Sequence, residues 1–189
     1  MTLAPPRKRR WTSDEFQKLA DAGFFRDQRV ELLRGQVIEM APQRDTDVVA
    51  VALAAKAIEK AFGEGYWVRQ QAPMHLNKLD VPEPDLAVVR GSERDYLGSG
   101  NRVSPLLVVE VSDTSLAYDR GVKLRRYARR EVQEYWIVDL VHGKLEVYRQ
   151  PRATAGKYGF AKSQILTSQQ AIAPLAAPRA SVAVKDLLP

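Results

Sequence analysis

A chain of 189 residues has the length of one domain and enough interior to fold without cross-links. It holds no cysteine, and its only histidines are His75 and His142. That excludes disulfides, thiol nucleophiles, thiolate metal sites and any multi-histidine metal site within one chain, so a metal would be held by oxygen, as suits magnesium or manganese. The formal net charge of +6 is compatible with a polyanionic partner without demanding one. The absence of thiols fits a reducing cytoplasm, and no apolar run approaches the roughly 20 residues of a membrane span.

In chain order, residues 1–11 read as a flexible basic arm. Arg7-Lys8-Arg9-Arg10 is not followed by the apolar stretch of a secretory leader; the run is either a nucleic-acid clamp or a solubilising tail. Thr12 to Glu15 forms a capping box ahead of Phe16, Leu19 and Ala20, which predicts a helix ended by Gly23. Val30–Leu33 and Val37–Met40 predict a hairpin turning through Arg34-Gly35. Val48, Val51, Ala52, Ala55, Ile58 and Phe62 mark one face of a buried helix from about Asp47, closed by Gly63. Strands follow at Tyr66–Gln71, Asp85–Val89 and Leu106–Ser112, then a helix from Ser115 to about Arg130. Further strands are expected at Tyr135–Asp139, Leu145–Tyr148 and, as an edge, Phe160–Leu166, with Ala173–Pro178 as loop.

Chemistry concentrates where a buried strand carries an acid. Leu106-Leu107-Val108-Val109 and Val111 are apolar on both faces, the pattern of a covered central strand, yet Glu110 interrupts them. Burying an ionised carboxylate costs several kcal/mol unless a cation or metal meets it. A structural salt bridge is the plain alternative. Asp85 opens a second apolar strand after Pro82-Glu83-Pro84, a place where Pro and Asp also serve turns. On the following helix Lys123 lies about 20° from Leu116 at 100° per residue, so its amine faces the sheet side. Two carboxylates on adjacent strands and a lysine suit phosphodiester hydrolysis. Asp85 and Glu110 would hold Mg²⁺ or Mn²⁺ with the backbone carbonyl of Val111, while Lys123 would orient or deprotonate the attacking water or face the phosphate.

Pro84-Asp85, Val109-Glu110-Val111-Ser112, Tyr118-Asp119-Arg120-Gly121-Val122-Lys123, Tyr127-Ala128 and Glu134–Asp139 resemble the Uma family of putative restriction endonucleases. That family belongs to the PD-(D/E)XK nuclease superfamily. Val30–Gln36 and Met40-Ala41-Pro42 extend the resemblance to roughly residues 12–150. It implies an α/β, restriction-endonuclease-like fold: a central mixed β-sheet flanked by helices, with an N-terminal helix and β-hairpin, in one nuclease-like domain over residues 12–189. It further implies metal-ligand roles for Asp85 and Glu110, and Lys123 as the lysine moved to a helix from the usual superfamily position, where Ser112 stands.

The resemblance also places Glu31 near the site; an exposed acid facing Arg34 or Arg29 is the plain alternative. Where many relatives carry a histidine, this chain has Asp47, read as a helix cap rather than a polar site residue. Gln71 is a minor candidate for orienting water. Arg120, Lys123, Arg125, Arg126, Arg129 and Arg130 make the third helix basic, either as a solvated face or as a phosphate-binding border in which Arg120, Arg125 and Arg126 are the candidates. The expected partners are DNA and a second copy of the chain, since symmetric double-strand cutting needs two sites. The competing reading is a nuclease-fold protein with a silent site that binds DNA or self-assembles.

Overall fold

The structure, a computed structural model, describes residues 7–189. Its contacts group into two compact units: the described residues up to Pro42 with Pro73–Glu83, and Gln43–Ala72 with Pro84–Pro189.

In the first unit, helix α1 (Ser13–Asp21) starts at the expected capping box. The Thr12 amide donates to Glu15 at 2.9 Å and the Glu15 amide donates to Thr12 Oγ1 at 3.3 Å. Strands β1 (Val30–Leu33) and β2 (Gln36–Glu39) pair antiparallel across Arg34-Gly35. Both turn residues have positive φ, 57° and 74°, as a two-residue hairpin of the I′ kind requires. Leu32 bridges to Val81, and Phe16, Leu32 and Val81 form a small core. Residues 1–6 of the basic arm lie outside the described residues. The end of the arm is laid on the hairpin, with the Trp11 amide donating to the Gly35 carbonyl at 2.8 Å.

In the second unit, α2 (Asp45–Phe62) begins two residues earlier than its apolar periodicity indicates. Asp47 lies in its first turn and accepts the Arg44 backbone amide at 2.9 Å, which is the capping role. Six strands make the sheet: β3 (Tyr66–Gln70), β4 (Leu86–Arg90), β5 (Leu107–Ser112), β6 (Glu134–Asp139), β7 (Lys144–Thr154) and β8 (Lys157–Thr167), in that spatial order. Only β5 and β6 run parallel, which makes the sheet mixed and requires a crossover between them.

The two faces of the sheet differ. Val68, Leu86, Val88, Val109, Val111, Trp136, Val138, Leu145 and Val147 pack with α2 and the C-terminal segment in the main core, which also takes in Val182, Val184 and Leu187. The opposite face carries Glu110, Ser112, Tyr135, Asp139, Glu146 and Tyr148, because paired residues on neighbouring strands point the same way.

The crossover departs from the expected single helix. It is α3 (Leu116–Tyr118), a π turn (Asp119–Lys123) and α4 (Leu124–Arg129) in succession. The hairpin β7–β8 also runs longer than expected, 11 residues in each strand. Its turn, Ala155-Gly156, has φ of 49° and 76°, and alanine is not a residue that announces a positive φ. The short antiparallel pair β9 (Ala171–Ile172) and β10 (Val182–Ala183), two residues in each strand, is too short to carry a periodic signal.

Candidate active site

The site stands where β4 stops short of β5. Asp85 precedes β4 by one residue, and its carbonyl accepts the Gln71 amide at 2.9 Å, so it continues the line of β3–β4 pairing. Its side chain closes the open edge of β5: Oδ2 accepts the Val111 amide at 2.8 Å, and Oδ1 accepts Gln71 Nε2 at 3.4 Å. Gln71 adopts φ 43°, a left-handed conformation uncommon for a non-glycine residue, at the end of β3.

Glu110 is 2% exposed in the middle of β5. Its Oε1 accepts the Tyr127 hydroxyl at 2.6 Å, and Oε2 lies 3.0 Å from Lys123 Nζ. Lys123 is itself buried and also lies 3.9 Å from Asp119 Oδ1. Asp119 is 1% exposed and accepts Ser112 Oγ at 2.7 Å and Ser115 Oγ at 2.6 Å through Oδ2. Its Oδ1 is buried with no hydrogen-bond donor among the described residues.

The π turn explains how Asp119 and Lys123 both face the sheet. A wide turn with i→i+5 bonding admits one more residue than α geometry, and such turns recur at functional sites. The expected inward direction of Lys123 rested on regular α spacing, whereas the local helix is not regular there.

Negative charge exceeds positive charge in this cluster. Burial pushes the Asp85 and Glu110 carboxyls above the ordinary carboxylate range, Glu110 well above it. Lys123 opposes the shift in both, while Asp119 adds to it in both and Asp85 adds to it in Glu110. A site with this imbalance favours a proton or a further cation.

The other expected residues fall as follows. Ser112 serves Asp119 through its hydroxyl. Asp47 also lies 3.5 Å from Arg44 Nε, and Arg44 forms an ion pair with Asp113. Glu31, in the first unit, is 1% exposed and accepts the Glu83 amide at 3.3 Å; Arg29 pairs with Glu83 at 2.8 Å instead. The plain alternative of an exposed Glu31 is therefore overturned. Arg120 bonds to Glu146, from Nε at 2.8 Å, and lies 3.0 Å from Asp139 Oδ2, so two buried acids engage its fork while its side chain stays partly exposed. The hydrogen bond to Glu146 leads the rise in its pKa. Asp139 also takes His142 Nδ1 at 2.7 Å. Arg125 is exposed and Arg126 half-buried.

Sequence reasoning missed Asp119 and the Tyr127 hydroxyl. The available signal was the i,i+4 spacing of Asp119 and Lys123, which puts an acid and a base on one helix face.

A family model described as "Uma2: Putative restriction endonuclease" matches residues 13–184. The chain belongs to the Uma2 family. A solved structure with the same fold is a putative nuclease belonging to DUF820 from Anabaena variabilis ATCC 29413. It superposes with a TM-score of 0.68 at 14% identity, over 93% of this chain and 96% of that one. No curated protein matches the chain. Within this Uma2 chain no helix of the described residues is long and apolar enough to cross a membrane.

Proposed function

We propose that this Uma2 protein is a metal-dependent endonuclease that hydrolyses DNA phosphodiester bonds at the Asp85–Glu110–Lys123 cluster. The observation that carries the proposal is a buried carboxylate pair, Asp85 and Glu110, held above the ordinary carboxylate range beside a buried ammonium. The donor set fits Mg²⁺ or Mn²⁺. It is all oxygen; among the described residues no group of three or more His, Cys, Asp or Glu could hold a metal, so the reading rests on two carboxylates and a backbone carbonyl. Two carboxylates and a backbone carbonyl would leave positions for water and substrate, as Mg²⁺ prefers. Val111 supplies that carbonyl in this reading: its amide faces Asp85, and in an extended strand the carbonyl of the same residue shares that edge.

When bound, the ion would acidify a water and neutralise charge on the phosphoryl oxygens. The chain's own residues supply the rest. Asp85 and Glu110 bind, and Tyr127 fixes the Glu110 rotamer by donating to Oε1. Lys123 stands beside Glu110 with a proton-bearing nitrogen, placed to orient the attacking water or meet a phosphate oxygen. Asp119, held by Ser112 and Ser115, sets a second acid 3.9 Å from the Lys123 amine. Gln71 buttresses Asp85. Exposed Arg125, with Arg126 beside it, offers positive charge to backbone phosphates. A homodimer would supply the second site that double-strand cutting needs, and the cysteine-free chain suits the cytoplasm.

One observation favours a second reading, a nuclease fold with a silent site. Both Glu110 oxygens already have protein partners, as a purely structural network would arrange. A cleavage assay on plasmid and single-stranded DNA with Mg²⁺ or Mn²⁺ separates the two. The endonuclease reading expects cutting that disappears in Glu110→Gln and Lys123→Ala. Cutting untouched by both substitutions, or no cutting and no calorimetric metal binding, rejects it. Sedimentation velocity tests the dimer.

A further inference from the structure

The first unit gathers positive charge that the reaction above does not use. Arg7, Lys8, Arg9, Arg10, Arg34 and Gln36 line a cleft of about 890 Å³. Four of these cations are neighbours in sequence, which alone would signify a solvated tail. Arg34 is not: it arrives from the β1–β2 turn, so the fold collects it against the run.

The placement is built into the backbone. The Trp11 amide donates to the Gly35 carbonyl at 2.8 Å, the Gly35 amide to the Leu79 carbonyl at 2.8 Å, and the Arg34 amide to Asp80 Oδ1 at 2.9 Å. A Cβ on Gly35 would come within 2.7 Å of Arg10 Cβ and 2.9 Å of the Trp11 carbonyl oxygen. Glycine at the turn is what lets the arm lie against it. Arg9 is steadied by Glu15 and by the Trp11 ring, 4.5 Å from its guanidinium carbon. Asp80 is occupied by the Arg34 amide and Asn77, and Glu83 by Arg29, so these acids of the unit do not quench the cleft.

We infer that this cleft is a phosphate-binding subsite for a nucleic-acid backbone, a second anchor on the polynucleotide that the nuclease reading takes as substrate. Arginine forks match phosphate oxygens in pairs, and among the described residues the lining is Arg, Lys and Gln, with no aromatic or apolar side chain to hold a base or a small ligand. Contacts of this kind position a strand without reading its sequence. The inference rests on the nuclease reading for the identity of the polyanion, but its binding is measurable without catalysis.

The test uses the full chain in metal-free buffer and fluorescence anisotropy on labelled duplexes of unrelated sequence across a salt series. The variant R7Q/K8Q/R34Q leaves Arg9 on Glu15 and the Trp11 amide on Gly35, and its circular dichroism melt checks folding. Each phosphate contact contributes about 0.9 to the slope of log K against log salt. The triple variant should therefore flatten the slope by about 2 to 3 and lower affinity equally for all sequences. R7Q/K8Q should show about two-thirds of that change. An unchanged slope in a folded variant overturns the subsite. So does loss of binding to phosphatidylserine vesicles with no duplex binding in the parent, which would make the surface a membrane contact. Absence of metal-dependent cleavage together with a flattened slope rejects the nuclease reading and keeps the subsite. Cleavage with an unchanged slope does the reverse.

Discussion

Glu110 is an acid whose folded state holds its proton to higher pH than the unfolded chain does. The sign of the consequence follows from linkage. Between the ordinary carboxylate pKa, about 4.3 for Glu, and the raised folded value, the native protein binds more protons than the unfolded one. Stability therefore falls as pH rises through that window, the opposite of a salt-bridged acid with a depressed pKa. The metal-free parent is expected to lose stability relative to Glu110→Gln progressively from about pH 4 upward. A scanning calorimetry series of both proteins in EDTA measures the difference, and a parent that gains on the variant as pH rises would contradict the assignment. Lys123 is the complementary case. Lys123→Ala leaves Glu110 without its buried cation, and breaking such a pair costs about 3–5 kcal/mol. The loss should shrink towards pH 5, where Glu110 holds its proton instead. Urea unfolding at pH 5 and pH 8 reads the difference.

At the scale of elements, the π turn and the first turn of α2 make opposite claims. If the π turn exists to aim Lys123, deleting Gly121 should restore α geometry and displace the lysine amine by about an ångström or more. Cleavage is expected to fall at least 10²-fold, the order of loss that misplacing a catalytic group produces. The melting point should move little by comparison. A deletion that keeps full activity would show that the turn is incidental. Asp47 should behave as a cap and nothing more: Asp47→Ala is expected to cost about 1 kcal/mol by urea unfolding with cleavage unchanged.

Particular residues show what the sequence could and could not reveal. A carboxylate inside a run otherwise apolar at successive positions has no solvent-facing slot to occupy, so Glu110 stands out. Lys123 was visible through helical period. Asp119 was not, because an acid on a helix reads as solvated unless the helix is known to widen there. Glu31 misled in the same way: in a four-residue strand, alternation is too short to tell a buried acid from an exposed one.

For the sheet as a whole, its two faces are the organising asymmetry, one apolar against α2 and one polar beneath the crossover. The strands of the centre were legible as dense runs of β-branched and aromatic residues, buried throughout. The outer reach of β7–β8 was not, since its residues are mostly exposed and carry no burial pattern. Glu134 ties the outer parts to the centre. It is fully buried at the start of β6 and accepts Trp136 Nε1 at 2.9 Å, Arg149 Nε at 2.8 Å and the Leu175 amide at 2.7 Å. One carboxylate thus joins the core tryptophan, strand β7 and the segment that leads to β10. Without it, Arg149 keeps its charge in a largely covered position and the Leu175 amide loses its acceptor. Glu134→Ala is therefore expected to cost about 3–5 kcal/mol, the range for breaking a buried ion pair from one side. Hydrogen exchange should show the loss first at Leu175 and its neighbours, ahead of β5. Uniform acceleration across the sheet would mean that Glu134 supports the core generally and does not pin the C-terminal segment.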